Sequence, residues 1–169
     1  IYDSYYNLAF VAYDMDRIRR KKVLHDQYIR ALFLLEGWRE KKFRAADVFD
    51  VTKWANFFAL SELWKARHPL KESNLRFYYN SVSDRIEPLA FDRGQVFYND
   101  VRNSEEPIRI IQEAFVEALL KDDIIEKEFY KSLKKLSKDI QSEQFVGALS
   151  KEDFSILNII RHEKFYLAR

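Results

Sequence analysis

Three glycines and three prolines in 169 residues leave this chain almost no punctuation. Glycine supplies the positive φ that tight turns need, and proline interrupts helices. A chain this poor in both is expected to run in long helices with few sharp reversals. The same poverty excludes a glycine-rich loop that cradles phosphates ahead of a helix. Hydrophobic residues make up 47% of the sequence and charged residues 33%, a balance that folds rather than stays disordered. One domain over residues 1–169, with a real core, is expected at this length. The 14 Phe, 10 Tyr and 3 Trp are assigned chiefly to that core.

Charge and cysteine content remove several function classes. Lys and Arg number 29 against 27 Asp and Glu, a net charge of +2, so no general attraction to nucleic acid or membranes is expected. The run Arg17, Arg19, Arg20, Lys21, Lys22 is read as a solvated face; contact with phosphate groups of a nucleic acid or a lipid is the alternative. Without cysteine there are no disulfides, zinc–thiolate sites or cysteine nucleophiles. His25 and His162 lack a ligand-type partner one helical turn away, so no zinc site is expected. No apolar stretch reaches the roughly 18 residues a membrane span needs. The chain starts at Ile1 with no signal-like segment, which suggests an excerpt from a longer polypeptide.

Helical periodicity dominates. Leu24, Tyr28, Ala31, Leu35 and Trp38 recur at three-to-four spacing, and Gly37 with the charged stretch 39–44 is expected to close that helix. Asp50 should cap a helix carrying Trp54, Phe57, Phe58 and Leu63, ending near Lys65 ahead of Pro69. Pro107 should open a helix with Ile108, Ile111, Phe115 and Leu119 on one face. Another carries Ile125, Phe129, Leu133, Leu136 and Ile140; Ser150 with Asp153 suggests a cap before a last helix with Leu157 and Ile160. One segment breaks the helical pattern. Leu75 to Asn80 and Arg85 to Phe91 are rich in extended-structure formers and flank the turn chemistry of Ser81–Asp84. Pro88 cannot donate a ladder hydrogen bond, so its strand is expected at an edge or locally irregular there. The fold class expected is therefore mainly α with one β-hairpin.

The hairpin is where chemistry is expected. Asn74 precedes its first strand and Asp92 follows its second, so both stand at one end. Two oxygen ligands fixed this way suit a hard cation such as magnesium. The competing reading is a turn residue and a strand-end cap, both common roles for these types.

The layout resembles the catalytic segment of a protein-kinase-like C-terminal lobe, and more closely that of the CotH kinase family of spore-coat proteins. The residues that carry the resemblance are Asp50-Val51-Thr52-Lys53-Trp54, Leu60-Ser61-Glu62-Leu63-Trp64, His68, Asn74-Leu75-Arg76-Phe77-Tyr78-Tyr79-Asn80 and Glu87-Pro88-Leu89-Ala90-Phe91-Asp92. They cover about 45 residues, up to Gly94, while the flanking helices agree only in kind. The resemblance implies an ATP-dependent phosphotransferase with magnesium as cofactor, a protein hydroxyl as substrate, and a spore-coat or cell-surface setting. It places Asn74 and Asp92 as metal and nucleotide-phosphate ligands, with Phe91 and Gly94 partly echoing the motif around the metal-binding Asp.

The departures are as informative. The position five residues before Asn74, where such loops carry the catalytic Asp, is Pro69. His68 is left as the candidate catalytic residue, as base or as an orienting group for the acceptor, with Glu72 the nearby carboxylate. No N-terminal lobe, glycine-rich loop or phosphate-pairing strand lysine is identified, so this segment alone is expected to be inactive. Two rivals follow: a non-catalytic, pseudokinase-like structural or protein-binding module, and a helical nucleic-acid-binding domain built on the basic run.

Overall fold

The computed structural model describes residues 9–63, 66, 68–71, 73–90 and 113–141. The chain divides into two compact units, Ile1–Leu133 and Lys134–Arg169. In the first unit lie α1 (Met15–Arg20), α2 (Lys22–Arg39), α3 (Ala45–Val48), α4 (Val51–Leu63), a single 3₁₀ turn at His68–Leu70, β1 (Arg76–Asn80), β2 (Arg85–Leu89) and α5 (Ala114–Leu120). α6 (Asp123–Gln141) starts in it, and the end of that helix is the described part of the second unit. Among the described residues the expected class is borne out: helices with one two-stranded antiparallel hairpin.

α2 runs straight through Gly37 and ends at Arg39, so the charged stretch 39–44 closes it as expected while Gly37 stays within the helix. A glycine inside a helix costs about 1 kcal/mol of propensity, but a Cβ at this buried position would collide with the Phe43 ring. The helix stops two residues later at a reversal built without glycine. Lys42 N–H donates to the Gly37 carbonyl at 2.8 Å and Lys41 N–H to that of Trp38 at 2.9 Å. This is the double bond pattern of a Schellman cap, with Lys41 at φ 60° where glycine usually sits. The Phe43 ring then folds back between Gly37 and Phe33, whose ring centre lies 5.3 Å away.

The Asp50 cap forms as expected. Its carboxylate accepts the Lys53 N–H at 3.0 Å, satisfying an orphan donor at the start of α4. α4 buries Trp54, Ala55, Phe58 and Ala59. Around Trp54 lie five aromatic rings, those of Phe49, Phe57, Phe58, Phe77 and Phe115, with centroids 5.4–6.1 Å away. Trp38 joins the cluster edge-on to Phe49 at 4.8 Å. Seven aromatic residues thus form one cluster that helices and hairpin share, an arrangement in which edge-to-face pairs add to plain burial.

α5 begins at Ala114, with Glu113 in extended conformation, so no unbroken helix runs from Pro107 through Phe115. Burying Phe115 and Leu119 in the core sets the direction of this short helix. Asp122 caps α6 by accepting the Ile124 N–H at 3.0 Å, and also accepts the Ala46 N–H of α3 at 3.1 Å. Ile125 and Phe129 are buried, as their spacing predicts. Trp64, Lys65, Pro107, Ile108, Ile111 and the Ser150–Asp153 cap with its helix lie outside the described residues. Among the described residues no helix is long and apolar enough to cross a membrane.

Candidate functional site

The hairpin positions the candidate site through its register. Arg76 pairs with Leu89, Phe77 with Pro88, Tyr78 with Glu87, Tyr79 with Ile86 and Asn80 with Arg85. Strand 1 is entered from Asn74 and Leu75; strand 2 is left through Ala90. The two connections therefore meet the hairpin at one end, its open end. Asp92, Phe91, Gly94 and Glu72 lie outside the described residues. Asn74 and His68 are described, and they are brought together.

The loop before β1 is held by its own backbone. Pro69 and Leu70 are buried in the 3₁₀ turn, while Lys71 N–H donates to the His68 carbonyl at 3.3 Å. Asn74 and Leu75 N–H groups both donate to the Lys71 carbonyl, at 2.8 and 2.9 Å. This curl returns Asn74 to His68. Its side-chain Nδ2 donates to the His68 carbonyl at 3.2 Å and lies 3.0 Å from His68 Nε2. A carbonyl can only accept, so the amide nitrogen faces His68. Nε2 stands within hydrogen-bonding reach of the same amide nitrogen. Among the described residues no donor is bonded to Asn74 Oδ1. The amide is thus oriented through its nitrogen and keeps its oxygen as an acceptor, the atom a hard cation would use.

An apolar cavity of about 1040 Å³ adjoins this end. Its lining includes Leu75, directly after Asn74, and Ala90, together with Phe10, Tyr28, Phe77 and Leu89. Residues 9–13 form one wall: the Tyr28 hydroxyl donates to the Phe10 carbonyl at 3.2 Å, and the Arg39 guanidinium stands 4.3 Å from the centre of the Phe10 ring.

The turn end of the hairpin is built differently. Asn80 Oδ1 accepts the Val82 N–H at 2.9 Å, closing the turn, and Asp84 adopts φ 53°. From α2, Arg30 Nε reaches Asp84 Oδ1 at 3.0 Å and Nη2 reaches Oδ2 at 2.5 Å; the Tyr79 hydroxyl donates to Oδ1 at 2.7 Å. The Arg30 hydrogen bonds, and to a lesser degree that from Tyr79, hold the Asp84 carboxyl down at about 2. From α4, Lys53 Nζ lies 2.6 Å from Glu87 Oε1, which also accepts from Asn80 Nδ2 at 2.8 Å. These bonds, from Lys53 first and Asn80 second, lower the Glu87 carboxyl below its ordinary range. The Ile86 carbonyl accepts both the Trp54 indole N–H at 2.9 Å and the Asp50 N–H at 3.0 Å.

Sequence reasoning missed the Arg30–Asp84–Tyr79 and Lys53–Glu87–Asn80 clusters. Arg30 and Asp84 are 54 residues apart, and no local pattern links them. Among the described residues no three His, Asp or Glu side chains form a group that could hold a metal ion. The chain matches no protein-family model, no curated protein and no solved structure.

Proposed function

We propose that this chain is the helical C-terminal lobe of a CotH-like, ATP-dependent phosphotransferase, with Asn74 and Asp92 as magnesium ligands on the nucleotide phosphates. The observation that carries the reading is the Asn74 amide, fixed through its nitrogen with its oxygen kept as an acceptor. The register supports it, since the connection toward Asp92 leaves the hairpin at the Asn74 end. So does the apolar cavity reached through Leu75 and Ala90. Bound magnesium would neutralise charge on the phosphates, where positioning and electrostatics supply most of the catalysis. The substrate in this reading is a protein hydroxyl.

His68 has a positioning role here. Its carbonyl accepts from the Asn74 amide, and its ring lies against the same nitrogen. A second reading is favoured by Pro69, which is buried in the 3₁₀ turn where a catalytic Asp is expected and offers no acid–base group. The same fold would then serve as a non-catalytic, pseudokinase-like protein-binding module.

The test is magnesium-dependent ATP binding by the full-length protein, followed by calorimetry. Asn74→Ala and Asp92→Ala should each weaken binding about tenfold or more, the scale of a lost bond to a charged group. Equal binding by wild type and Asp92→Ala would sink the metal assignment. Binding without phosphate release or autophosphorylation would favour the non-catalytic module.

A further inference from the structure

The basic run begins on the helix whose Ile18 lines the apolar cavity with Val11 and Tyr13, and its surroundings give it a use. Arg17, Arg19 and Arg20 lie on α1, Lys21 bridges α1 to α2, and Lys22 opens α2; all five are exposed. Lys22 is paired with Asp26 at 2.8 Å. The other four have no carboxylate partner among the described residues: Arg20 Nε donates to the Asp16 backbone carbonyl, which cancels no charge. The acids within this stretch are Asp14 and Asp16, and Asp14 is engaged as the cap of α1, accepting the Arg17 N–H at 2.9 Å. A cationic surface is therefore presented in spite of the near-neutral chain.

Exposed apolar side chains adjoin it in sequence. Tyr13 is fully exposed, Val11 is 74% exposed and Val23 68%. Single exposed apolar residues are ordinary, but three flanking a run of uncompensated cations form the two-part pattern of an interfacial membrane contact. A nucleic-acid surface would call for flat rings between the cations, on which bases stack. Two of the three residues here are valines, which have no stacking face and gain by entering the headgroup–acyl boundary.

We propose that residues 11–23 are a docking surface for an anionic phospholipid bilayer, with Arg17, Arg19, Arg20 and Lys21 at the headgroups and Val11, Tyr13 and Val23 dipping below them. The contact is peripheral. Each Lys or Arg near an anionic bilayer contributes about a fivefold gain in partitioning, so the four together give on the order of several hundredfold.

Co-sedimentation of the full chain with vesicles tests this. Binding to vesicles of equal parts phosphatidylcholine and phosphatidylserine is expected at low salt, with little to pure phosphatidylcholine and a steep fall as salt is added. Replacing Arg17, Arg19, Arg20 and Lys21 together by Ala should reduce partitioning on the order of several hundredfold, whereas Arg→Lys at the three arginines should retain it. An unchanged circular-dichroism melt establishes that the alanine variant is folded, and the Arg→Lys variant tests charge even where it is not. Tyr13→Ser with Val23→Ser should weaken binding without changing its salt dependence. No binding to the anionic vesicles at low salt would overturn the proposal. So would equal binding to neutral ones, full binding by the folded alanine variant, or preferential capture by a single-stranded RNA offered at equal phosphate concentration.

Discussion

The two ends of the hairpin are made of the same kinds of polar residue and put to opposite uses. At the turn end several polar groups reach other elements: Asp84 meets Arg30 of α2, Glu87 meets Lys53 of α4, and the Ile86 carbonyl meets Trp54 and Asp50. Among the described residues, the Asn74 side chain at the open end bonds six residues back, to His68. One end fixes the hairpin to the helices. The other holds a short loop in shape and leaves an amide oxygen over. Separating the two jobs lets a site tolerate loosely held polar groups without loosening the fold, since local opening follows local contacts.

The largest test of that division is Trp54→Ala. The indole is fully buried among five rings and its N–H meets the Ile86 carbonyl, so truncation removes both the packing and the tie to β2. A loss of about 3–5 kcal/mol is expected from denaturant unfolding, the range for deleting a buried aromatic side chain. Hydrogen exchange should report it unevenly. Amides of residues 79–86 should lose protection in step with global stability, and those of 74–76 should already exchange by local opening in the wild type. A loss below about 1 kcal/mol would mean that the aromatic cluster does not anchor the hairpin.

Asp84→Asn is smaller and carries a pH signature. The pair with Arg30 is bidentate, but both side chains are more than a third exposed, so its contribution is about 1 kcal/mol at most. Asparagine tolerates the positive φ, which isolates the charge from the backbone. Because the folded carboxyl is held at about 2 against an ordinary 3.8, the aspartate's stabilisation is complete above the ordinary value and lost as pH falls through the depressed one. Wild type should therefore exceed the variant at neutral pH and converge on it between pH 3.8 and about 2. A constant difference across that window would remove Asp84 from the list of anchors.

How much of this was legible in the sequence depends on how far apart the cooperating residues are. The hairpin could be read because everything that makes it is local: a run of Arg-Phe-Tyr-Tyr, four turn residues and a second short strand. The Asp50 cap was legible for the same reason, its partner lying three residues away. α3, four residues long, is too short to show any period. Gly37 misled because its usual meaning, a helix end, gave way to a packing need set by Phe43, while the actual reversal falls on Lys41, a residue with no turn signature. Arg30 and Lys53 carry no local signal that ties them to the hairpin; only the folded chain brings them there. At the site itself, Asn74 and His68 were both singled out, but their bond was not, since it depends on the curl that Lys71 closes.

Asn74→Ala sharpens the contrast from the weak side. Removing the amide leaves the Asn74 backbone N–H on the Lys71 carbonyl, so the loop keeps its curl. The His68 carbonyl loses a donor, but His68 is exposed and water can replace it. Global stability should change by less than about 0.5 kcal/mol, as for a surface substitution away from the core. The same variant should lose magnesium-dependent nucleotide binding. The two readouts together separate the roles: a drop in stability above about 1 kcal/mol with binding intact would make Asn74 a brace for the loop and return the open end to structure. Unchanged stability with lost binding is what an end kept free for a ligand requires.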